Sequence, residues 1–185
     1  GEIRHRVKNA LMTTQAIAAR SFPNVDPAAR AAFSERLRVL ARTQDVLSAH
    51  DWSNAPARRV VERALAPFRG GDGCDLFEIS GDPATLDASR ATLPALALHE
   101  LAMNAVKHGA LSTPEGRVAL SWSEQEENGE RRLVFEWRER GGPPVAAPDQ
   151  RGFGLGFLER SFFGVGVAEV QFDPAGFSCH LELLL

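Results

Sequence analysis

The sequence HELAMNAVKH, residues 99–108, aligns polar side chains beside an apolar helix face. Its spacing predicts a helix over 93–108, since apolar residues recur every four positions. The members of this apolar stripe are Leu93, Ala97, Leu101 and Ala105. We expect the stripe to face the core of the protein and the polar side chains to lie next to it.

The polar side of this helix offers groups for a cation and for an anion. At about 100° per residue, Glu100, Asn104 and His108 fall on one line, with Lys107 beside them. Carboxylate and carboxamide oxygens suit Mg²⁺, and a lysine suits phosphate. A zinc protease is excluded because position 103 holds methionine, and His99 and His108 lie half a turn out of phase. The alternative for this segment alone is an ordinary amphipathic helix with a solvated face.

The residues on both sides of this helix alternate between strands and further helices. Two hairpins are predicted, 117–123 with 132–138 turning at Asn128-Gly129, and 167–172 with 177–185 turning at 173–176. Another strand is predicted over 75–80 and another helix over 60–68, ending at Gly70-Gly71. Antiparallel hairpins with a few long helices predict an α+β sandwich with a mainly antiparallel sheet.

The first fifty residues have a different pattern, that of two amphipathic helices. Apolar residues recur at steps of three and four over 2–20 and again over 27–47. Asp26 suits the N-cap of the second helix, and Pro27 suits its first position. We expect a helical hairpin that a second copy completes to a four-helix bundle. A linker over 53–56 then separates two predicted domains, 1–52 and 57–185.

Composition and charge exclude several classes of protein. The chain has 185 residues, of which 44 % are apolar and 24 % charged, and no apolar run approaches the roughly 20 residues of a membrane span. Residues 1–50 carry a net charge of +4 and the rest −7, and no basic stripe is dense enough for nucleic acid. The two cysteines, Cys74 and Cys179, are expected to be reduced in a cytoplasmic protein.

A glycine-rich segment, 151–158, is a second candidate site. Gly152, Gly154 and Gly156 stand at alternate positions before an apolar segment that can open a helix, which lets backbone N–H groups approach an anion. The segment lacks the lysine and hydroxyl ending of a Walker A loop, and no strand leads into it as in a dinucleotide fingerprint. The alternative is a flexible loop.

Glu139 is a third candidate, at a strand end before Gly141-Gly142. Its carboxylate can accept a hydrogen bond from an exocyclic amine such as that of adenine. The alternative is a surface glutamate beside Trp137 as a core aromatic residue.

His5 is the fourth candidate. It faces water on the first predicted helix, with Asn9 one turn further on the same face. Arg4, Arg6 and Lys8 surround it with positive charge that attracts an anionic phosphoryl donor, and a neutral imidazole is a competent nucleophile. The alternative is an exposed histidine without a function.

Together, these segments resemble the HWE family of sensor histidine kinases. Residues 5–9 resemble its phosphoacceptor box, 99–111 its N box, and 152–156 the glycine box after the ATP lid. Trp137 and Glu139 match the Trp-x-Glu that, with His99, gives the family its name. The four segments occur in the family's order and span nearly the whole chain.

The resemblance implies a hairpin for homodimerisation through 2–50 and an ATP-binding domain of the GHKL (Bergerat) type. It implies that His5 accepts the γ-phosphoryl group, that Asn104 ligates Mg²⁺ and that Glu139 holds the adenine amine. The implied ATP-binding residues also include Lys107, His108, Gly141, Gly152, Gly154 and Gly156. Supporting residues are Arg6, Asn9, His99 and Trp137. Because Arg6 stands where many histidine kinases have an acidic residue, Glu100 is the candidate base.

Two departures from the wider GHKL pattern stand out. Glu139 replaces the usual Asp of Asp-x-Gly-x-Gly, which is a feature of the HWE group, and Pro143-Pro144 follow where a glycine is usual. The presumed lid, 141–152, is short, and no separate phenylalanine box is visible.

The resemblance implies an autokinase that passes its phosphoryl group to an aspartate of a response-regulator receiver domain. Because His5 lies so near the first residue, we expect an upstream sensory domain outside this chain. Two alternatives are a catalytically silent phosphotransfer adaptor and a GHKL serine kinase or anti-sigma factor.

Overall fold

The computed structural model describes residues 2–48, 55–69, 76–147 and 153–185. These residues form two compact units, Gly1–Ala64 with Thr85–Leu96, and Leu65–Ala84 with Ala97–Leu185. No helix in the described ranges is long and apolar enough to cross a bilayer.

The first unit begins with two helices that confirm the predicted hairpin. They are α1, Glu2–Ser21, and α2, Pro27–Ser48. Asp26 caps α2 as predicted, because its Oδ2 accepts the backbone N–H of Ala29 at 3.2 Å. The two helices are linked by a hydrogen bond of 3.0 Å from Gln15 Nε2 to Ser34 Oγ.

The remainder of the first unit contains a small strand pair that the sequence analysis missed. Ala55–Pro56 forms β1 and pairs antiparallel with β3, Thr85–Leu86. Half of the predicted linker is therefore a strand, because Ala55 and Leu86 bury their side chains completely. Helix α3, Ala57–Leu65, follows β1 directly and continues into a 3₁₀ turn, Ala66–Phe68.

Helix α4, Ala88–Lys107, starts five residues before the predicted helix and contributes 88–96 to the first unit and 97–107 to the second. Its early start has a clear cause, since Asp87 Oδ1 accepts the backbone N–H of Arg90 at 2.9 Å. Pro94 lies inside the helix.

The second unit is built on a five-stranded sheet of order β2-β4-β5-β7-β6. Its strands are β2 (Phe77–Gly81), β4 (Arg117–Glu127), β5 (Glu130–Arg140), β6 (Gly166–Asp173) and β7 (Gly176–Leu184). Strands β2 and β4 are parallel and the other pairs antiparallel. Both predicted hairpins are confirmed, and the first turns at Asn128 and Gly129, whose φ angles are +54° and +81°.

The two faces of this sheet differ in character. One face is buried, and its apolar side chains across β5 and β7 include Leu133, Phe135, Trp137, Cys179, Leu181 and Leu183. The other face, which we call the outer face, carries mostly polar side chains at the alternate positions of β5 and β7, with Val134 and Leu184 as apolar exceptions. Cys179 is a free thiol in the buried face, and Cys74 lies outside the described residues.

Candidate nucleotide and phosphotransfer site

The polar stripe of α4 runs from the core to the surface. Glu100 is only 4 % exposed, Asn104 is half-buried, and Lys107 and His108 are exposed. The neighbouring apolar stripe is fully buried at Leu101, as predicted. The stripe therefore offers two oxygen-bearing side chains at its inner end and two nitrogen-bearing ones at its outer end.

The glycine-rich segment contacts the inner end of this stripe. A Cβ atom added to Gly154 would lie 3.2 Å from Asn104 Nδ2 and 3.2 Å from Glu100 Oε2. Gly154 is buried, so a larger residue there would press on the ends of the Asn104 and Glu100 side chains, which would have to move by a few tenths of an ångström. Two motifs fifty residues apart in the sequence thus meet at Glu100 and Asn104.

The sequence predicted that a helix would open after the three glycines, but the helix already includes two of them. Helix α5, Phe153–Phe162, includes both Gly154 and Gly156 in its first turns. A glycine within a helix costs roughly 1 kcal/mol relative to alanine, and the closeness of Gly154 to Glu100 and Asn104 gives a packing reason for a glycine at this position. A Cβ on Gly156 would meet the guanidinium group of Arg160 rather than α4. Gly152 lies outside the described residues.

Glu139 is buried, at 5 % exposure, and is not the surface glutamate that the sequence left open. Its Oε2 accepts the backbone N–H of Ala110 at 2.8 Å, and its Oε1 accepts the indole N–H of Trp137 at 3.1 Å. Burial raises the pKa of this carboxyl group, and the two hydrogen bonds oppose that effect. The carboxylate is thus held by two neutral donors.

The segment after α4 is tied to the end of β5. A Cβ on Gly109 would collide with Glu139 Oε2, and a Cβ on Gly142 would lie 2.6 Å from Ala110 Cα. Thr113 Oγ1 donates a hydrogen bond of 2.7 Å to the carbonyl of Gly141, whose φ of +73° favours glycine. The sequence analysis missed the role of residues 109–113, although the glycines at 109, 141 and 142 were a visible signal.

His99 does not belong to the polar stripe. It is 1 % exposed, and its ring centroid lies 5.0 Å from that of Phe68 in a tilted arrangement. Its position is that of a packed core residue next to Glu100 in sequence.

The segment around His5, the fourth candidate, lies in the first turns of α1. His5 is helical there, but its side chain and that of Lys8 are not among those described. Arg6 and Asn9 are exposed. The structure assigns this segment to the first unit and the residues around Glu100, Asn104 and Glu139 to the second.

A cavity of about 670 Å³ opens among β5, β6 and β7. Its lining comes mostly from the outer face and includes Arg138, Glu169, Gln171 and His180, and it shares Glu139 with the predicted site. The polar stripe of α4 does not contribute to it.

The donor set at α4 fits a hard cation and an anionic ligand. Glu100 and Asn104 supply oxygen atoms at one place, and Lys107 supplies a cation on the next turn. Among the described residues, no group of three or more His, Cys, Asp or Glu side chains is arranged to hold a metal alone. Two oxygen-bearing side chains are too few to enclose a cation, so a Mg²⁺ ion at Glu100 and Asn104 would take further oxygen ligands from water or from a bound anion.

Known histidine kinases resemble this chain. A family model described as HWE histidine kinase matches residues 2–83. The chain is 41 % identical over 180 residues to a blue-light-activated histidine kinase of Brucella anthropi, covering 95 % of this chain and 36 % of that protein. It is 40 % identical over 160 residues to a protein of the same name from Brucella ovis, covering 85 % and 32 %. The chain thus spans about a third of the length of these relatives.

Solved structures share the fold. The histidine kinase domain of the Erythrobacter litoralis EL346 blue-light activated histidine kinase matches with a TM-score of 0.65 at 16 % identity, covering 98 % of this chain and 88 % of that one. The catalytic domain of the histidine kinase ThkA matches with a TM-score of 0.54 at 13 % identity, covering 71 % and 95 %. The predicted α+β fold, with its helical hairpin and mainly antiparallel sheet, is confirmed.

Proposed function

This chain belongs to the HWE histidine kinase family, and we propose that it is the core of a sensor kinase that phosphorylates His5 with ATP and Mg²⁺. The observation that carries the proposal is the close approach of Gly154 to Glu100 and Asn104. It brings the glycine box and the N box of the family together at the side chains of Glu100 and Asn104, and the exposed side chains of Lys107 and His108 follow on the same stripe.

The nucleotide is proposed to bind to the second unit. Glu139 accepts the adenine amine with its remaining lone pairs, next to Gly141 at the same strand end. Lys107, His108 and the backbone of Gly152, Gly154 and Gly156 contact the phosphates. Asn104 holds Mg²⁺, which neutralises phosphate charge when it is bound.

The phosphoryl transfer is proposed to follow from positioning and charge. The Nε2 lone pair of neutral His5 attacks the γ-phosphorus, the bond from phosphorus to the bridging oxygen breaks, and ADP leaves. The proton of the other ring nitrogen passes to a base, for which Glu100 is our candidate. Arg6 and Asn9, exposed on the same segment, orient the donor.

The assembly and partners are part of the same proposal. Residues 1–52 form the dimerisation and phosphotransfer module, and 57–185 form the ATP-binding module. Exposed apolar side chains on the hairpin, Met12 at 61 % and Ile17 at 58 %, support a homodimer that completes a four-helix bundle. Phosphohistidine then passes its group to a receiver aspartate of a cytoplasmic response regulator, under control of an upstream sensory domain.

The first experiment is incubation with γ-³²P-labelled ATP. We expect His5→Ala to abolish labelling while nucleotide binding persists, and the matched variant His180→Ala, altered on the outer face, to retain labelling. The phosphate should be labile to acid and stable to alkali. An acid-stable product would indicate a serine kinase, and a chain that binds no ATP would indicate the silent adaptor.

The second experiment tests the metal ligand by calorimetry. We expect Asn104→Ala to abolish Mg²⁺-dependent ATP binding, because it removes an oxygen donor next to Glu100. Gln125→Ala removes an amide from an exposed position of β4 and should leave the affinity unchanged. Equal affinities for both variants would contradict the assignment of Asn104.

A further inference from the structure

Trp137 and Glu139 form a hydrogen-bonded pair on the buried face of β5. They are two residues apart, so their side chains leave the strand on the same side. Trp137 is fully buried and Glu139 nearly so. The indole N–H donates to Glu139 Oε1 at 3.1 Å, and the indole ring also meets Phe77 edge-on with centroids 6.1 Å apart. The ring therefore has a fixed position from which it orients the carboxylate.

The second oxygen of Glu139 is fixed independently. Oε2 accepts the Ala110 N–H at 2.8 Å, and Gly109 leaves no space for any side chain at this point. Two donors that arrive from different elements, β5 and the segment after α4, determine both the position and the rotation of the carboxylate plane. One donor alone would fix its position but leave its rotation free.

The orientation matters because an ionised carboxylate only accepts hydrogen bonds. With one protein donor on each oxygen, lone pairs remain for a ligand group that donates. A 6-aminopurine presents a donor, whereas a 6-oxopurine presents an acceptor and would face an unfavourable oxygen–oxygen contact. Burial raises the pKa of Glu139, and a protonated carboxyl group would lose this distinction because it can donate.

We propose that Trp137 is a positioning residue for base selection, whose indole N–H aligns the Glu139 carboxylate with the exocyclic amine of adenine. This inference rests on the proposed binding of ATP at Glu139. It assigns to the Trp of the Trp-x-Glu motif a role that acts through Glu139 and not through contact with the nucleotide.

The test compares two tryptophan-to-phenylalanine variants. Trp137→Phe removes the indole donor to Glu139. Trp122→Phe is the matched control, since Trp122 is 3 % exposed on β4 and its indole N–H donates to the Asp82 carbonyl at 2.8 Å. Each variant loses one indole hydrogen bond and a similar volume. Thermal melting of both variants measures the structural cost that they share.

The readout is the ratio of kcat/KM for ATP to that for inosine 5′-triphosphate, which has an oxygen in place of the amine. We expect Trp137→Phe to reduce this ratio about tenfold, the size of one misaligned charge-assisted hydrogen bond. Trp122→Phe should change it less than about twofold. Equal ratios for the two variants would overturn the role of Trp137.

A pH series adds a readout that a purely structural role would not change. The indole hydrogen bond lowers the pKa of Glu139 and so opposes the effect of burial. Without it, Glu139 should become protonated at a higher pH. Trp137→Phe should therefore lose its preference for ATP over inosine 5′-triphosphate at a higher pH than the unaltered chain does. An unchanged pH dependence would contradict the proposal.

Two further arms separate the possible failures. If Trp137→Phe does not fold, replacement of Trp137 by benzothienylalanine keeps the ring shape, removes only the N–H and should give the same loss of ATP preference. If the unaltered chain binds neither nucleotide, the proposed function itself fails. If it binds ATP but the isostere leaves the ratio unchanged, only the role of Trp137 fails.

Discussion

Two glutamates on strand β5, Glu136 and Glu139, lie three residues apart and on opposite faces of the sheet. Glu139 is buried and held by two neutral N–H donors at fixed points. Glu136 is half-buried on the outer face, where its Oε1 lies 2.6 Å from His180 Nδ1. The same residue type is thus a fixed hydrogen-bond acceptor on one face of the sheet and a member of an ion-pair network on the other.

The outer network shares its contacts among several groups. His180 Nε2 lies 3.0 Å from Glu182 Oε1, and Glu182 Oε2 lies 2.9 Å from Arg132 Nη1. Arg132 also pairs with Glu130 at 3.2 Å. Because each charge has more than one partner and water nearby, the loss of one contact is expected to cost little. On the buried face, the Ala110 N–H and the Trp137 indole N–H both donate to Glu139. The loss of this acceptor should therefore be costly.

The largest expected effect comes from removing the buried carboxylate of Glu139. Glu139→Ala leaves the Ala110 N–H and the Trp137 indole without their acceptor, at a cost of about 2–4 kcal/mol in the free energy of unfolding. Glu136→Ala, three residues away, should cost less than about 1 kcal/mol. Urea unfolding of both variants measures the difference, and equal costs would show that the two faces are energetically alike.

A somewhat smaller effect is expected at Gly109. Gly109→Ala introduces a Cβ that collides with Glu139 Oε2 and should destabilise the protein by about 1–3 kcal/mol. The double variant with Glu139→Ala should cost less than the sum of the two, since the second change removes the collision with Glu139 and leaves only the contact of 2.9 Å with Ala105 Cα. Additive costs would contradict a direct contact. Gly156→Ala, which meets only the end of the Arg160 side chain, is the control.

The stabilisation that the outer network provides should be recognised by its dependence on pH rather than by its magnitude. Burial lowers the pKa of His180, but hydrogen bonds with Glu182 and Glu136 outweigh it and raise the pKa above 6.5. Stability from this raised pKa is present below the unfolded pKa and is lost as pH rises through the folded one. We therefore expect His180→Gln to cost up to about 1 kcal/mol near pH 5.5 and less near pH 8.5. A difference that grows with pH would contradict this sign.

The smallest effect is expected at the hairpin tip. Arg131 Nη2 lies 2.7 Å from Glu124 Oε2, but the arginine side chain is 62 % exposed. Arg131→Gln should leave the melting temperature unchanged within error, because a solvated pair gains little from its contact. A clear drop in melting temperature would show that this exposed ion pair also contributes to stability.

Local signals in the sequence predicted most of the fold. The Asn128-Gly129 turn, the Asp26 cap and the apolar repeat of α4 each depend on residues close in the chain. The pairing of Ala55 with Leu86 and the contact of Gly154 with α4 join distant segments, so local patterns did not reveal them.

The candidate site was predicted less completely than the fold. The motifs identified Glu100, Asn104 and Glu139 as polar residues of interest, since their chemistry is visible in the sequence. The burial of Glu139 and its two donors were not predictable, because Ala110 contributes only a backbone N–H and the interpretation of Trp137 as a core aromatic residue does not reveal the partner of its indole N–H. Backbone donors have no signature in side-chain type.

The alkylation rate of the Cys179 thiol, in the buried face of β7, can measure how often the sheet opens. Burial, with a smaller contribution from the Glu136 charge, raises the pKa of Cys179 to about 12, so the reactive thiolate is scarce while the strand stays in place. With Cys74 replaced by serine, alkylation at Cys179 should proceed only as often as this part of the sheet unfolds. A nucleotide that tightens the second unit should then slow the alkylation, and the change in rate would report its binding.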